Sequence, residues 1–123
     1  MSNKINAIDK MCDSYRILYE LETKLRTMID DTLTREFGYT WHLSQKYISF
    51  DFHTAHYYQL LQIIRKFPTL KEKFTQKQIE KLTNLNAIRN KICHMRDISI
   101  PEYKKLVTCH KIVISKIEKR KVS

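Results

Sequence analysis

Residues 75–95 read Thr-Gln-Lys-Gln-Ile-Glu-Lys-Leu-Thr-Asn-Leu-Asn-Ala-Ile-Arg-Asn-Lys-Ile-Cys-His-Met. Within this stretch Ile79, Leu82, Leu85, Ile88, Ile92 and Met95 recur at intervals that fall on one side of a helix turning about 100° per residue. Thr75, with Gln78 three places on, fits a capping box at the start. The pattern predicts an amphipathic helix from near Thr75 to about Met95.

The same pattern extends outward on both sides. Ser99 and Glu102 fit a second capping box, with Pro101 in the first turn, where its missing N–H costs nothing. Next comes a stripe of Tyr103, Leu106, Val107, His110, Val113, Ile114 and Ile117, and residues 118–123 form a basic tail expected to fray. Upstream, Tyr57, Leu60, Leu61, Ile64 and Phe67 predict a helix from about Thr54 to Phe67, stopped by Pro68. The first helix is expected from about Asn3 to Phe37, with Ile5, Ile8, Cys12, Tyr15, Leu18, Leu21, Leu25, Met28, Ile29 and Leu33 as its stripe. A break near Asp13-Ser14 is an option, and Gly38 stands where a helix commonly ends. Between Tyr39 and His53 lies an aperiodic segment with Tyr39, Trp41, Tyr47, Phe50 and Phe52, expected to pack on the core rather than to stack on bases. The expectation is an all-α fold, an up-and-down bundle of four to five helices in one domain over residues 1–123.

Composition excludes other classes. A single glycine, Gly38, leaves no material for the turns of a sandwich or barrel, nor for a P-loop or a dinucleotide fingerprint. No apolar run approaches the ~18–20 residues of a membrane span. The first residues show no apolar signal segment, and the cysteines Cys12, Cys93 and Cys109 have no paired spacing. These features point to free thiols and a cytoplasmic protein. The net charge of +10 points to an anionic partner, with nucleic acid first.

One residue breaks the pattern of 75–95. Arg89 falls between Leu85 and Leu82 in angle, inside the apolar arc. A guanidinium there needs an acidic partner, or else it points into a polar cleft or a subunit interface. Asn90 and His94 are four apart and share a different face, about 140° or less from Arg89. In one chain Arg89 and His94 converge loosely; across a twofold axis two copies of each would surround one cleft. Arg supplies a planar charged fork for phosphate oxygens, and His titrates near neutral pH. Other sites are poorly written. Cys93-His94 and Cys109-His110 as a split zinc site would need neighbours that diverge by ~100° on a helix. His53 and His56 lack a third ligand. Cys93 lacks a base, and Asp30-Asp31 lacks the partners of two-metal chemistry.

Leu85-x-x-Ile88-Arg89-Asn90-Lys91-Ile92-Cys93-His94 resembles the signature of the HEPN superfamily, small helical domains whose motif is Arg, a polar residue, and His a few positions on. Tyr19-x-x-Glu22-x-x-Leu25-Arg26 resembles the first long helix of abortive-infection HEPN proteins, and Phe37-Gly38-x-x-Trp41 continues that similarity. The resemblance implies a HEPN-like bundle and a metal-independent endoribonuclease with a composite site across a homodimer, using no metal and no cofactor. It further implies that His94 handles the proton of the 2′-hydroxyl or of the leaving 5′-oxygen. Arg89 binds the scissile phosphate, and Asn90 orients the His or holds the phosphate. Lys91, inside the motif, and Arg96, two residues past its His, are the RNA-binding candidates. The implied partners are RNA, a second copy of the chain, and an antitoxin or regulatory protein, in the setting of a toxin or an antiviral effector. Arg96 stands where HEPN toxins paired with nucleotidyltransferase antitoxins usually carry Tyr, which speaks against that form of control. The competing expectation is a non-catalytic helical module that binds nucleic acid or protein, with Arg89 serving packing alone.

Overall fold

The computed structural model describes the backbone of residues 6–122 and the side chains of residues 6–117. It contains five helices: α1 (Ala7–Phe37), α2 (Tyr57–Lys66), α3 (Pro68–Lys71), α4 (Gln76–Cys93) and α5 (Ile100–Val122). No strand occurs among the described residues. The all-helical bundle expected from the sequence is present.

α1 is continuous. Asn6 is extended and caps it, its side-chain oxygen accepting the Asp9 N–H at 3.0 Å, so the helix starts at Ala7 and not near Asn3. Residues 1–5, including Ile5, lie outside those described. No break occurs at Asp13-Ser14, because Ser14 is buried and its hydroxyl donates to the Lys10 carbonyl at 2.7 Å. Gly38 ends the helix with φ 94, and its N–H donates to the Thr34 carbonyl at 2.8 Å. The buried face is Ile17, Leu18, Leu21, Leu25, Met28, Ile29 and Leu33. Ile8, Cys12 and Tyr15, assigned to the same stripe from sequence, are exposed.

The connection after α1 packs on the core as expected. Trp41, Ile48 and Phe52 are buried, whereas Tyr39 is exposed. The Trp41 indole N–H donates to Asp30 at 2.9 Å, and Thr34 donates to the same carboxylate oxygen at 3.1 Å. Asp30 therefore seats the indole on α1. Thr54, the expected start of the second helix, belongs to a separate 3-10 turn at Phe52–Thr54, capped by Asp51. Ala55 and His56 are then extended, which delays α2 to Tyr57. Pro68 ends α2 and also opens the short α3, at the position where its missing N–H costs nothing. The sequence pattern carries no sign of that second role.

Both capping boxes form. Thr75 and Gln78 exchange hydrogen bonds of 3.0 and 3.1 Å at the start of α4. Ser99 and Glu102 exchange bonds of 2.8 and 3.2 Å at the start of α5. The expected fraying over 118–123 falls on residues whose side chains lie outside those described.

α1, α4 and α5 carry the bundle. Lys10 reaches the Ile98 carbonyl, Asp13 meets Tyr103, and Glu20 meets His110, so α1 and α5 run in the same direction. Lys91 meets Glu102 and Cys109 meets Lys81, so α4 runs antiparallel to α5. Tyr57 is fully buried and its hydroxyl donates to the Leu82 carbonyl at 2.6 Å, tying α2 to α4. Burial pushes the ionisation of that hydroxyl far up, so it remains a neutral donor.

Candidate functional site

Arg89 sits where α4 faces α1. Its Nε donates to Glu22 Oε2 at 3.0 Å, and the two side chains are only 21% and 15% exposed. Both options read from the helical wheel are therefore realised: Arg89 has an acidic partner, and the pair lines a cleft. That cleft, about 190 Å³, is bounded by Tyr15, Tyr19, Glu22, Arg26, Arg89 and Cys93. The Arg89 terminal nitrogens make no hydrogen bond among the described residues, so the outer edge of the fork remains available. Arg26 lies one turn from Glu22 on α1; one terminal nitrogen donates to the Ala55 carbonyl at 2.9 Å, and its Nε is buried without a partner. One carboxylate thus balances two guanidiniums, and the cleft carries a net positive charge.

α4 ends beside this cleft in a tight cap. The Met95 N–H donates to the Ile92 carbonyl at 3.1 Å, and the Arg96 N–H to the Lys91 carbonyl at 2.8 Å. Met95 has φ 61, the left-handed conformation that such a cap requires and that glycine usually supplies. His94 is the C-cap residue. Its N–H is bound to the Asn90 and Lys91 carbonyls at 3.1 and 3.2 Å, while the residue is exposed and its imidazole makes no hydrogen bond, ion pair or ring contact among the described residues.

Of the five site residues expected from sequence, Arg89 is the one that lines this cleft, between α1 and α4. Asn90, on α4, and His94, its C-cap, are exposed and do not line that cleft. Lys91 is engaged by Glu102 at 2.7 Å, where it also braces the cap of α5. Arg96 is exposed, with only its backbone held. Glu22 and Arg26 lie in the middle of α1, yet nothing in the sequence assigns them a role. Their signal is the four-residue spacing that stacks them on one helical face.

A second polar seam, between α1 and α5, had no sequence signal. Asp13 accepts from Tyr103 and from Arg16, the latter at 2.5 Å. The Tyr103 hydroxyl first, and then Arg16, hold the Asp13 carboxyl below its ordinary value, and the same bond raises Tyr103. His110, read as part of an apolar stripe, lies 2.7 Å from Glu20 and lowers that carboxyl. Glu102 is lowered by Lys91 and by the Ser99 N–H.

The remaining candidates stay apart. The His53 ring packs edge-on to His42, and the His56 ring stacks on Tyr58. Cys12 and Cys93 are exposed and Cys109 is buried, all as free thiols. Burial pushes the Cys109 thiol up to about 11. Among the described residues no three of His, Cys, Asp and Glu gather into a metal-binding group, and no helix is long and apolar enough to cross a membrane. Comparison of the chain with family models, with curated proteins and with solved structures returned no match.

Proposed function

We propose that the chain is a HEPN-type, metal-independent endoribonuclease acting as a homodimer in the cytoplasm, in the setting of a toxin or antiviral effector. The observation that carries this reading is Arg89: fixed by Glu22 through Nε, in a cleft of net positive charge, with its outer nitrogens unengaged. A fork held in this way accepts a phosphate without first paying the entropy of ordering its own side chain. In the proposed reaction the 2′-oxygen of the ribose attacks the adjacent phosphorus. Its proton passes to a base, the bond to the 5′-oxygen breaks, and that oxygen leaves protonated. The products are a 2′,3′-cyclic phosphate and a 5′-hydroxyl. Arg89 stabilises the charge that builds on the phosphoryl oxygens. The exposed His94 transfers a proton, and Asn90 orients it or holds the phosphate.

His94 does not line the Arg89 cleft of its own chain, and in this reading the composite site draws its His94 from a second copy. Tyr15, Tyr19 and Met95 are 57%, 66% and 86% exposed, and the two tyrosines rim the cleft. They supply apolar surface for that copy to cover.

The Arg89–Glu22 pair also favours a second reading, a module that binds nucleic acid or protein without cleaving, in which the pair only joins α1 to α4. The two readings separate in an RNA cleavage assay run in EDTA, with analysis of the product ends. The ribonuclease reading expects cyclic phosphate ends, and a loss of about 100-fold or more in His94→Ala and in Arg89→Ala. Cleavage that survives both substitutions overturns the site. RNA binding without cleavage by the wild-type chain supports the module.

A further inference from the structure

A groove of about 250 Å³ runs between α4 and α5, away from the cleft that Arg89 lines. Its floor is Leu85, Ile88 and Cys109, each no more than 5% exposed. The space arises because Cys109 and Thr108 are small where larger residues would close the seam. The Cys109 thiol donates to the Lys81 carbonyl at 3.5 Å and stays protonated, so the floor is apolar and uncharged. Lys81, Lys104 and Lys105 stand around it, and no carboxylate lines it. None of the three ammonium groups has an acidic partner among the described residues. Asn84 and Thr108 complete the walls, exposed and with no side-chain hydrogen bond among the described residues.

We propose that this groove binds a small organic anion: one phosphate or carboxylate on a compact apolar body of about one ring. The volume falls just below the roughly 300–1,000 Å³ of sites for drug-sized ligands, which limits the body to that size. The lysines select for negative charge, and their stems extend the apolar wall. The floor rewards an apolar body that free phosphate lacks. Asn84 and Thr108 supply hydrogen bonds to the ligand's oxygens. The site is independent of Arg89 and of the ribonuclease reading, and it survives if that reading fails.

The test is a titration of the whole chain followed by amide NMR, using phenyl phosphate, inorganic phosphate and benzyl alcohol as probes. The expected result is saturable shifts at residues 81–88 and 104–109 with phenyl phosphate, with at least about tenfold weaker binding of the other two probes. Thr108→Phe fills the groove from an exposed position, and the double variant Lys104→Gln/Lys105→Gln removes charge. Each is expected to weaken phenyl phosphate by about tenfold or more while the rest of the spectrum is retained. Equal binding of inorganic phosphate, shifts centred elsewhere, unchanged affinity in both variants, or no saturation overturns the proposal.

Discussion

Arg89 is held by one carboxylate, and the strength of that hold can be measured apart from activity. The pair is mostly shielded from solvent, so removing Arg89 leaves Glu22 without its counter-ion in a confined place. Arg89→Ala is expected to lower stability by about 1–3 kcal/mol, between the values for surface and buried pairs. Glu22→Gln is expected to cost less, because the amide oxygen can still accept from Nε. Denaturant unfolding measures both, and a loss near zero for Arg89→Ala would show that the pair does not hold the seam. Met95 presents the opposite case. Its left-handed backbone costs about 1–2 kcal/mol for a residue with a Cβ, and its exposed side chain loses little by removal. Met95→Gly is expected to stabilise by up to about 1 kcal/mol once glycine's greater unfolded-state freedom is counted. Destabilisation would mean that the Met95 side chain is covered in the assembled protein.

At the scale of helices, the starts of α4 and α5 rest on short-range chemistry. Thr75→Ala removes the acceptor for the Gln78 N–H and is expected to cost about 1 kcal/mol in the same unfolding measurement. Asp13 and Glu20 in the seam between α1 and α5, with Glu102 where α5 meets Lys91 of α4, set the sign of a pH dependence. All three carboxyls are lowered in the folded chain from ordinary values of 3.8 for Asp and 4.5 for Glu. The stability they contribute is complete above that range, and it is lost as pH falls through it toward the folded values. The triple variant Asp13→Asn/Glu20→Gln/Glu102→Gln is expected to show a shallower loss of stability on acidification below about pH 4.5 than the wild type. An unchanged slope would place the acid sensitivity elsewhere. Much at this scale was legible in the sequence. Both capping boxes, the end of α1 at Gly38 and the packing of Trp41 and Phe52 rest on local rules. The true start of α2 and the existence of α3 were not legible, because Asp51 capping a 3-10 turn and Pro68 opening a new helix depend on how the chain lies against the core.

For the whole molecule, the charge of +10 and the arrangement of faces set expectations for partners. If RNA binds, affinity is expected to fall with added salt, with a log–log slope of roughly −0.7 for each phosphate contacted on a single strand. A gel-shift series measures it, and a flat series would exclude a mainly electrostatic interface. If a second copy completes the site, specific activity is expected to rise with protein concentration until the dimer saturates. Tyr19→Glu, on the exposed rim, is expected to move that midpoint upward while the chain stays folded, as measured by sedimentation and circular dichroism. Coincident midpoints for the two proteins would remove this face from the interface.

By itself the sequence determined an all-helical chain, its long elements, the capping boxes of α4 and α5 and the end of α1 at Gly38, because periodicity, capping residues and a single glycine act over distances of a few residues. It also marked Arg89 as a charge out of place. Only the tertiary structure decided that Glu22 holds Arg89, that Lys91 is engaged by Glu102, that Ile8 and Tyr15 lie outside the core, and that a groove opens beside Cys109. The physical reason is common to all four. A helix's own spacing fixes which residues share a face, but which face meets which neighbour depends on how separate helices pack, and residues 22 and 89 meet only when α1 and α4 are laid together.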